Sequence, residues 1–120
     1  MKKFLLPLLI VAISVSCKKP KPNTCEYDMC DSRRKTIMTA SNWSGPLGYY
    51  NNIRKWAVNV PIQNTIDGLR TCIICTDIPD SLKTIGRIVT FSGDLKESCG
   101  NPKTELRGQE IYFVNATNIR

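Results

Sequence analysis

The stretch Ile78-Pro79-Asp80-Ser81-Leu82-Lys83-Thr84-Ile85-Gly86-Arg87-Ile88-Val89-Thr90-Phe91-Ser92-Gly93 decides how this chain is read. Its first half, from Asp77 to Lys83, has the chemistry of a turn or a single helical turn. Proline presets φ there, and short polar side chains bond back to their own backbone. Its second half, Arg87 to Gly93, is rich in β-branched and aromatic residues and predicts a strand. Working upstream, Thr71-Cys72-Ile73-Ile74-Cys75 is a continuous apolar run, as expected of a buried strand. Before it, Gly48-Tyr49-Tyr50 leads through the turn signal Asn51-Asn52 into Trp56-Ala57-Val58-Asn59-Val60. That is a hairpin pattern with Trp56, Val58 and Val60 on one face. Thr36 to Ala40 is a further β-prone run near the start of the folded part. Downstream, residues 94–108 hold two glycines and a proline and read as a loop, and Glu110 to Thr117 reads as the last strand.

Five strands at this spacing, with one turn between the third and fourth, predict an all-β domain. A small closed or nearly closed barrel is favoured, with a small β-sandwich as the alternative. The Pro and Leu turn, the glycine and the Val-x-Phe-x-Gly strand of residues 78–93 resemble a pattern in small Bacteroidota lipoproteins, whose domains resemble OB-like barrels. The resemblance implies a five-stranded OB-like barrel and carries no chemistry.

The N-terminus points to export. Met1-Lys2-Lys3 is a positive leader, and Phe4 to Val15 is an apolar run interrupted by Pro7 and Ser14. About a dozen residues are too few for a membrane span, so a signal peptide is expected. Ser14-Val15-Ser16 leads directly into Cys17. This resembles the lipobox of bacterial lipoproteins, although Ser14 stands where Leu is most common. The resemblance implies cleavage before Cys17 and a diacylglycerol thioether, with palmitate-type chains, on its sulfur. By the same analogy, Lys18 after the lipidated cysteine implies delivery to the outer membrane, facing the periplasm or the cell surface. Lys18-Lys19-Pro20-Lys21-Pro22 continues as a Pro-rich, extended spacer. The expected organisation is a signal peptide over 1–16, a lipidated cysteine and tether over 17–34, and a barrel over 35–120.

Charge follows this division. The formal charge is +7, and loss of Lys2 and Lys3 leaves +5. Residues 35–120 carry only +3. Lys18, Lys19 and Lys21 lie beside the anchor, where each would gain about 1 kcal/mol near anionic head groups, or simply solvate a linker. The small excess on the barrel gives no reason to expect a nucleic-acid partner. The chain has no histidine, so a Ser-His-Asp or Cys-His nucleophile and a His-ligated zinc are closed to it.

Six cysteines in 120 residues suit an exported, disulfide-stabilised domain. If Cys17 is lipidated, Cys25, Cys30, Cys72, Cys75 and Cys99 remain, and one thiol is left over. In a regular strand Cys72 and Cys75 point to opposite faces, so one should face the core. Cys99, in the expected loop, is the natural partner for the other. A bridge closing the 72–99 or 75–99 loop would contribute about 3 kcal/mol. Cys25 and Cys30 are close enough for a local bridge, or either pins the tether to the barrel. Two further readings of these cysteines are a Cys72-x-x-Cys75 redox pair and a zinc site drawn from the five. The β-prone setting disfavours the first, and an oxidising compartment disfavours the second.

Trp43, Tyr49, Tyr50 and Trp56 cluster beside Arg54 and Lys55. On an OB-like barrel they are candidates for stacking on sugars or bases. The competing reading makes Trp56 core and the tyrosines half-buried hairpin residues. The carboxylates Asp67, Asp77, Asp80, Asp94 and Glu97 fall in or near turns and show no catalytic spacing. Asp80-Ser81-Leu82 is similar to the O-glycosylation sequon of Bacteroidota exported proteins, which would place a glycan on Ser81. The expectation from sequence is a lipid-anchored, non-enzymatic envelope module with no cofactor and no metal, held to the membrane through Cys17. Its partner would be an envelope protein or a glycan. The alternatives are a glycan-binding module using Trp43 to Trp56, and a thiol oxidoreductase using Cys72 and Cys75.

Overall fold

A computed structural model describes residues 23–120. Cys17, the apolar leader and the Lys18–Pro22 spacer lie outside the described residues. Five strands follow a short 3-10 turn at Thr24–Glu26: β1 (Thr36–Tyr50), β2 (Lys55–Pro61), β3 (Leu69–Ile74), β4 (Ile88–Glu97) and β5 (Gln109–Ile119). They close into a barrel in the order β1-β2-β3-β5-β4. β3 and β5 run parallel, and every other neighbouring pair is antiparallel. This is a small OB-like barrel.

The barrel closes because each strand sends apolar residues inward at alternate positions. Leu47, Val58, Cys72, Ile74, Val89, Phe91, Leu95 and Val114 form the interior cluster, with Trp56 and Val60 packed on the same side as Val58. The expected turn between β3 and β4 is a 3-10 turn at Asp80–Leu82. Ile78 and Leu82 from this connection pack into the interior cluster and stop one end of the barrel.

Two elements are longer than their sequence pattern indicates, for the same reason. β1 is one strand of 15 residues. It pairs with β4 up to Pro46 and with β2 from Leu47 onward. Register shifts between Thr36 and Met38 and between Ala40 and Trp43 bend it, and Asn42 adopts φ 51° at the second. Where β1 changes partner, a Cβ on Gly45 would run into the Asn59 carbonyl of β2, so only glycine fits. β4 likewise continues through Gly93 to Glu97, inside the segment expected to be a loop. Gly93 marks a bulge against β5, and beyond it Leu95 returns to the core. The connecting loop is therefore 98–108.

The folded unit also begins before the expected boundary at residue 35. Cys25 bonds to Cys99 in the 98–108 loop, and Cys30 bonds to Cys75 just past β3. The segment 23–34 thus forms a strap along the outside of the barrel, rising from one end at Cys25 to the other at Cys30 and returning. Arg34 closes it. This side chain is 7% exposed. Its Nε donates to the Tyr27 and Asp28 carbonyls, its Nη2 to the Tyr27 carbonyl, and its Nη1 to the Glu97 carbonyl at 3.0 Å. The guanidinium lies 5.5 Å over the Phe113 ring. Carbonyl dipoles and a ring face thus solvate a buried cation that has no carboxylate partner among the described residues. Under the strap, Ala57, Ile73, Ile111 and Phe113 form a second apolar cluster on the outer face of β2, β3 and β5, with Met29 and Cys30 of the strap against it.

Candidate functional site

The outer face of β2 and β3 is the surface that OB barrels commonly offer to ligands. The strap leaves part of this face open. A groove of about 430 Å³ lies there, floored by Gly48, Tyr50, Asn59 and Gln109 and walled by the 51–54 turn and the 98–108 loop. Asn51 and Asn52 stand on one rim, Glu105 and Leu106 on the other.

The polar groups of the floor are oriented by a chain of hydrogen bonds that starts at the backbone. The Glu105 and Leu106 amides can only donate, and both donate to Gln109 Oε1, at 2.9 and 3.3 Å. That fixes the Gln109 amide, whose Nε2 donates to Thr71 Oγ1 at 2.8 Å and to the Tyr50 hydroxyl at 3.2 Å. Thr71, having accepted, donates to Asn59 Oδ1 at 2.9 Å. The orientation of every amide and hydroxyl in the chain follows from the first step. Two ends are left without a partner among the described residues: the Tyr50 O–H and the Asn59 NH₂. Both are donors. Gly48 lies beside that amide, where a Cβ would be in ordinary contact with Asn59 Nδ2 at 3.5 Å. The floor therefore presents fixed donors to a ligand that carries acceptor oxygens, with Leu69 as apolar wall.

The four aromatics singled out in the sequence do not share one platform. Tyr50 joins the groove floor. Tyr49 also borders that groove, and it meets Trp56 edge to face toward the plugged end, with ring centroids 5.0 Å apart. Trp43 meets Phe91 edge to face at 6.4 Å, and the Arg70 guanidinium covers its ring at 5.2 Å. Arg70 is held in turn by Glu110, whose carboxylate also accepts from the Tyr112 hydroxyl. Trp43 lines a second groove, of about 680 Å³, with Asn42, Ser44, Ile62 and Gln63. The residues that carry the groove floor, Asn59, Thr71 and Gln109, escape a search for aromatics. The one signal for them is a polar Asn59 between Val58 and Val60, in a strand where asparagine is unfavourable.

Of the pairings the spacing left open, the one that pins the tether to the barrel is found, at both Cys25 and Cys30. Cys99 takes Cys25, and Cys75 takes Cys30, so neither Cys72–Cys99 nor Cys25–Cys30 forms. Cys72 is unpaired among the described residues and 0% exposed. Burial pushes its thiol up to about 12, offset slightly by the charge of Arg70. Cys72 faces the interior and Cys75 is bonded to Cys30, so the two sulfurs do not form a pair with each other. Cys25, Cys99 and Glu97 lie together, but both sulfurs are committed to the bridge and cannot act as thiolate ligands. Ser81 sits exposed in the 3-10 turn, beside the Asp80–Lys83 ion pair.

No protein-family model matches the chain, and it has no significant match among curated proteins. Among the described residues, no helix is long and apolar enough to cross a membrane.

Proposed function

We propose that this chain is an exported lipoprotein, anchored through Cys17 to a bacterial envelope membrane, whose barrel binds a glycan in the groove between the 51–54 turn and the 98–108 loop. The observation that carries the binding role is the oriented floor, in which backbone amides of the 98–108 loop set the direction of every donor up to Tyr50 and Asn59. A sugar offers ring, hydroxyl and carbonyl oxygens to such donors and an apolar face to Leu69. Binding rather than hydrolysis is favoured because Glu105 is the one carboxylate in the groove lining, and glycoside hydrolysis calls for a pair.

The test is a glycan array probed with the mature protein in detergent, followed by calorimetry on any hit. Asn59→Asp keeps the oxygen that accepts from Thr71 and replaces the outward donor by a carboxylate oxygen. Binding that is lost in Asn59→Asp and in Tyr50→Phe supports the groove. Binding unchanged in both counts against it. Intact mass of the protein from its native membrane tests the lipid on Cys17 and a glycan on Ser81 in the same spectrum.

A further inference from the structure

We infer that the barrel does not hang free of the membrane but rests on it end-on, with Ile66 and Leu106 inserted into the lipid surface. This rests on the anchoring reading of Cys17 and adds an orientation and a contact that lipidation alone does not imply.

Three observations converge on one end of the barrel. Ile66 is 100% exposed and Leu106 is 60% exposed, each in a polar loop where nothing in the fold requires a large aliphatic side chain. Their two loops touch. Leu69 N donates to the Gly108 carbonyl, and a Cβ on Gly108 would lie 3.3 Å from the Asp67 carbonyl oxygen. The third observation is covalent. Cys25 is bonded to Cys99, so the chain arriving from the membrane is fastened to the very loop that carries Leu106.

Chain length then limits the geometry. Cys25 lies eight positions after Cys17, a span that at full extension reaches about 28 Å. The opposite end, with Ile85 and Ile88, stands about 30 Å further along β4. The anchor therefore makes the 62–68 and 98–108 loops the end tethered nearest the bilayer, and the exposed Ile66 and Leu106 draw that end onto it. The charges of the two loops balance, with Lys103 and Arg107 against Asp67 and Glu105. The contact is thus made by the two aliphatic side chains, while Lys18, Lys19 and Lys21 supply attraction to anionic head groups. The groove opens on the side of the barrel and remains accessible to a ligand lying across it.

The experiment uses the full lipidated protein in vesicles of phosphatidylethanolamine and phosphatidylglycerol, with and without a dibrominated phospholipid. Ile66→Trp, Leu106→Trp and Ile85→Trp are each compared with the parent, whose Trp43 and Trp56 are a constant background. All three sites are exposed loop positions. Insertion to roughly 5–10 Å shifts the added emission at 66 and 106 to the blue and quenches it with bromine, while position 85 shows neither. If mass spectrometry of the same samples shows lipid on Cys17 and positions 66 and 106 quench no more than 85, the end-on contact is overturned and the anchor stands. If Cys17 carries no lipid, the anchoring reading falls, and this inference with it.

Discussion

Thr71 and Ile73 are neighbours on the same outer face of β3, and each is fully buried, yet they belong to two different surfaces. Around Ile73 the face is apolar, with Ala57, Ile111 and Phe113, and a stapled strap covers it. Around Thr71 it is polar, with Asn59, Gln109 and Tyr50, and hydrogen bonds satisfy it while the groove stays open. A sheet face can be completed by covering it or by pairing its own polar groups. This barrel does both, side by side, and only the second way leaves room for a ligand. The strap supplies the cover that a chain this small cannot supply from a second layer of secondary structure.

The comparison breaks most visibly if the strap is released. The bridges close 74 and 45 residues, and the chain-entropy estimate assigns each about 4 kcal/mol. Replacing Cys30 and Cys75 by serine, and then also Cys25 and Cys99, is expected to lower the urea midpoint in two steps. Dye binding to the uncovered Ile73 and Phe113 region should rise with the first step. A quadruple variant as stable as the parent would show that the cover is dispensable. Arg34→Met is the next largest effect, a loss of about 2 kcal/mol, because the Tyr27, Asp28 and Glu97 carbonyls lose their charged donor. Hydrogen exchange should localise that loss to the strap amides and spare the Thr71 side of the face.

On the polar half the expectation is reversed. Asn59→Asp should change stability by less than about 1 kcal/mol, since Thr71 keeps its acceptor, while abolishing ligand binding in calorimetry. A variant that unfolds instead would mean that the Asn59 amide is structural. The smallest effect is at Asp31, whose carboxylate accepts from the Arg33 side chain and backbone, holding it at about 2 against an ordinary 3.8. A depressed folded value stabilises above the unfolded one and is lost as pH falls from about 4 toward 2. Asp31→Asn should flatten that acid limb in pH-dependent unfolding, so that its small loss of stability is seen above about pH 4 and fades toward pH 2.

Much of the barrel was legible because alternation is a local property. Val58 beside Trp56 and Val60, and the run from Thr71 to Ile74, declare strands whatever they pair with. The places where the reading stopped short are bulges. At Ala40–Trp43 and at Gly93 an irregular residue reads as the end of a strand, although the chain bends there and continues. The parity of Cys72 and Cys75 was also legible, and it rightly placed one sulfur in the core. The partners of Cys75 and Cys99 were not, because they lie in a segment whose composition resembles a tether.

By itself the sequence determined the class of the fold, the absence of histidine chemistry, and the odd cysteine left once Cys17 is set aside. Each depends on residue identity or on spacing of two or three positions. Only the tertiary structure decided that residues 23–34 are a strap, that Arg34 is buried, and that Tyr50, Asn59, Thr71 and Gln109 form one oriented chain. Those contacts join positions far apart in sequence through the closure of β1 on β2 and of β3 on β5. No local pattern encodes which polar side chains a closed barrel brings together.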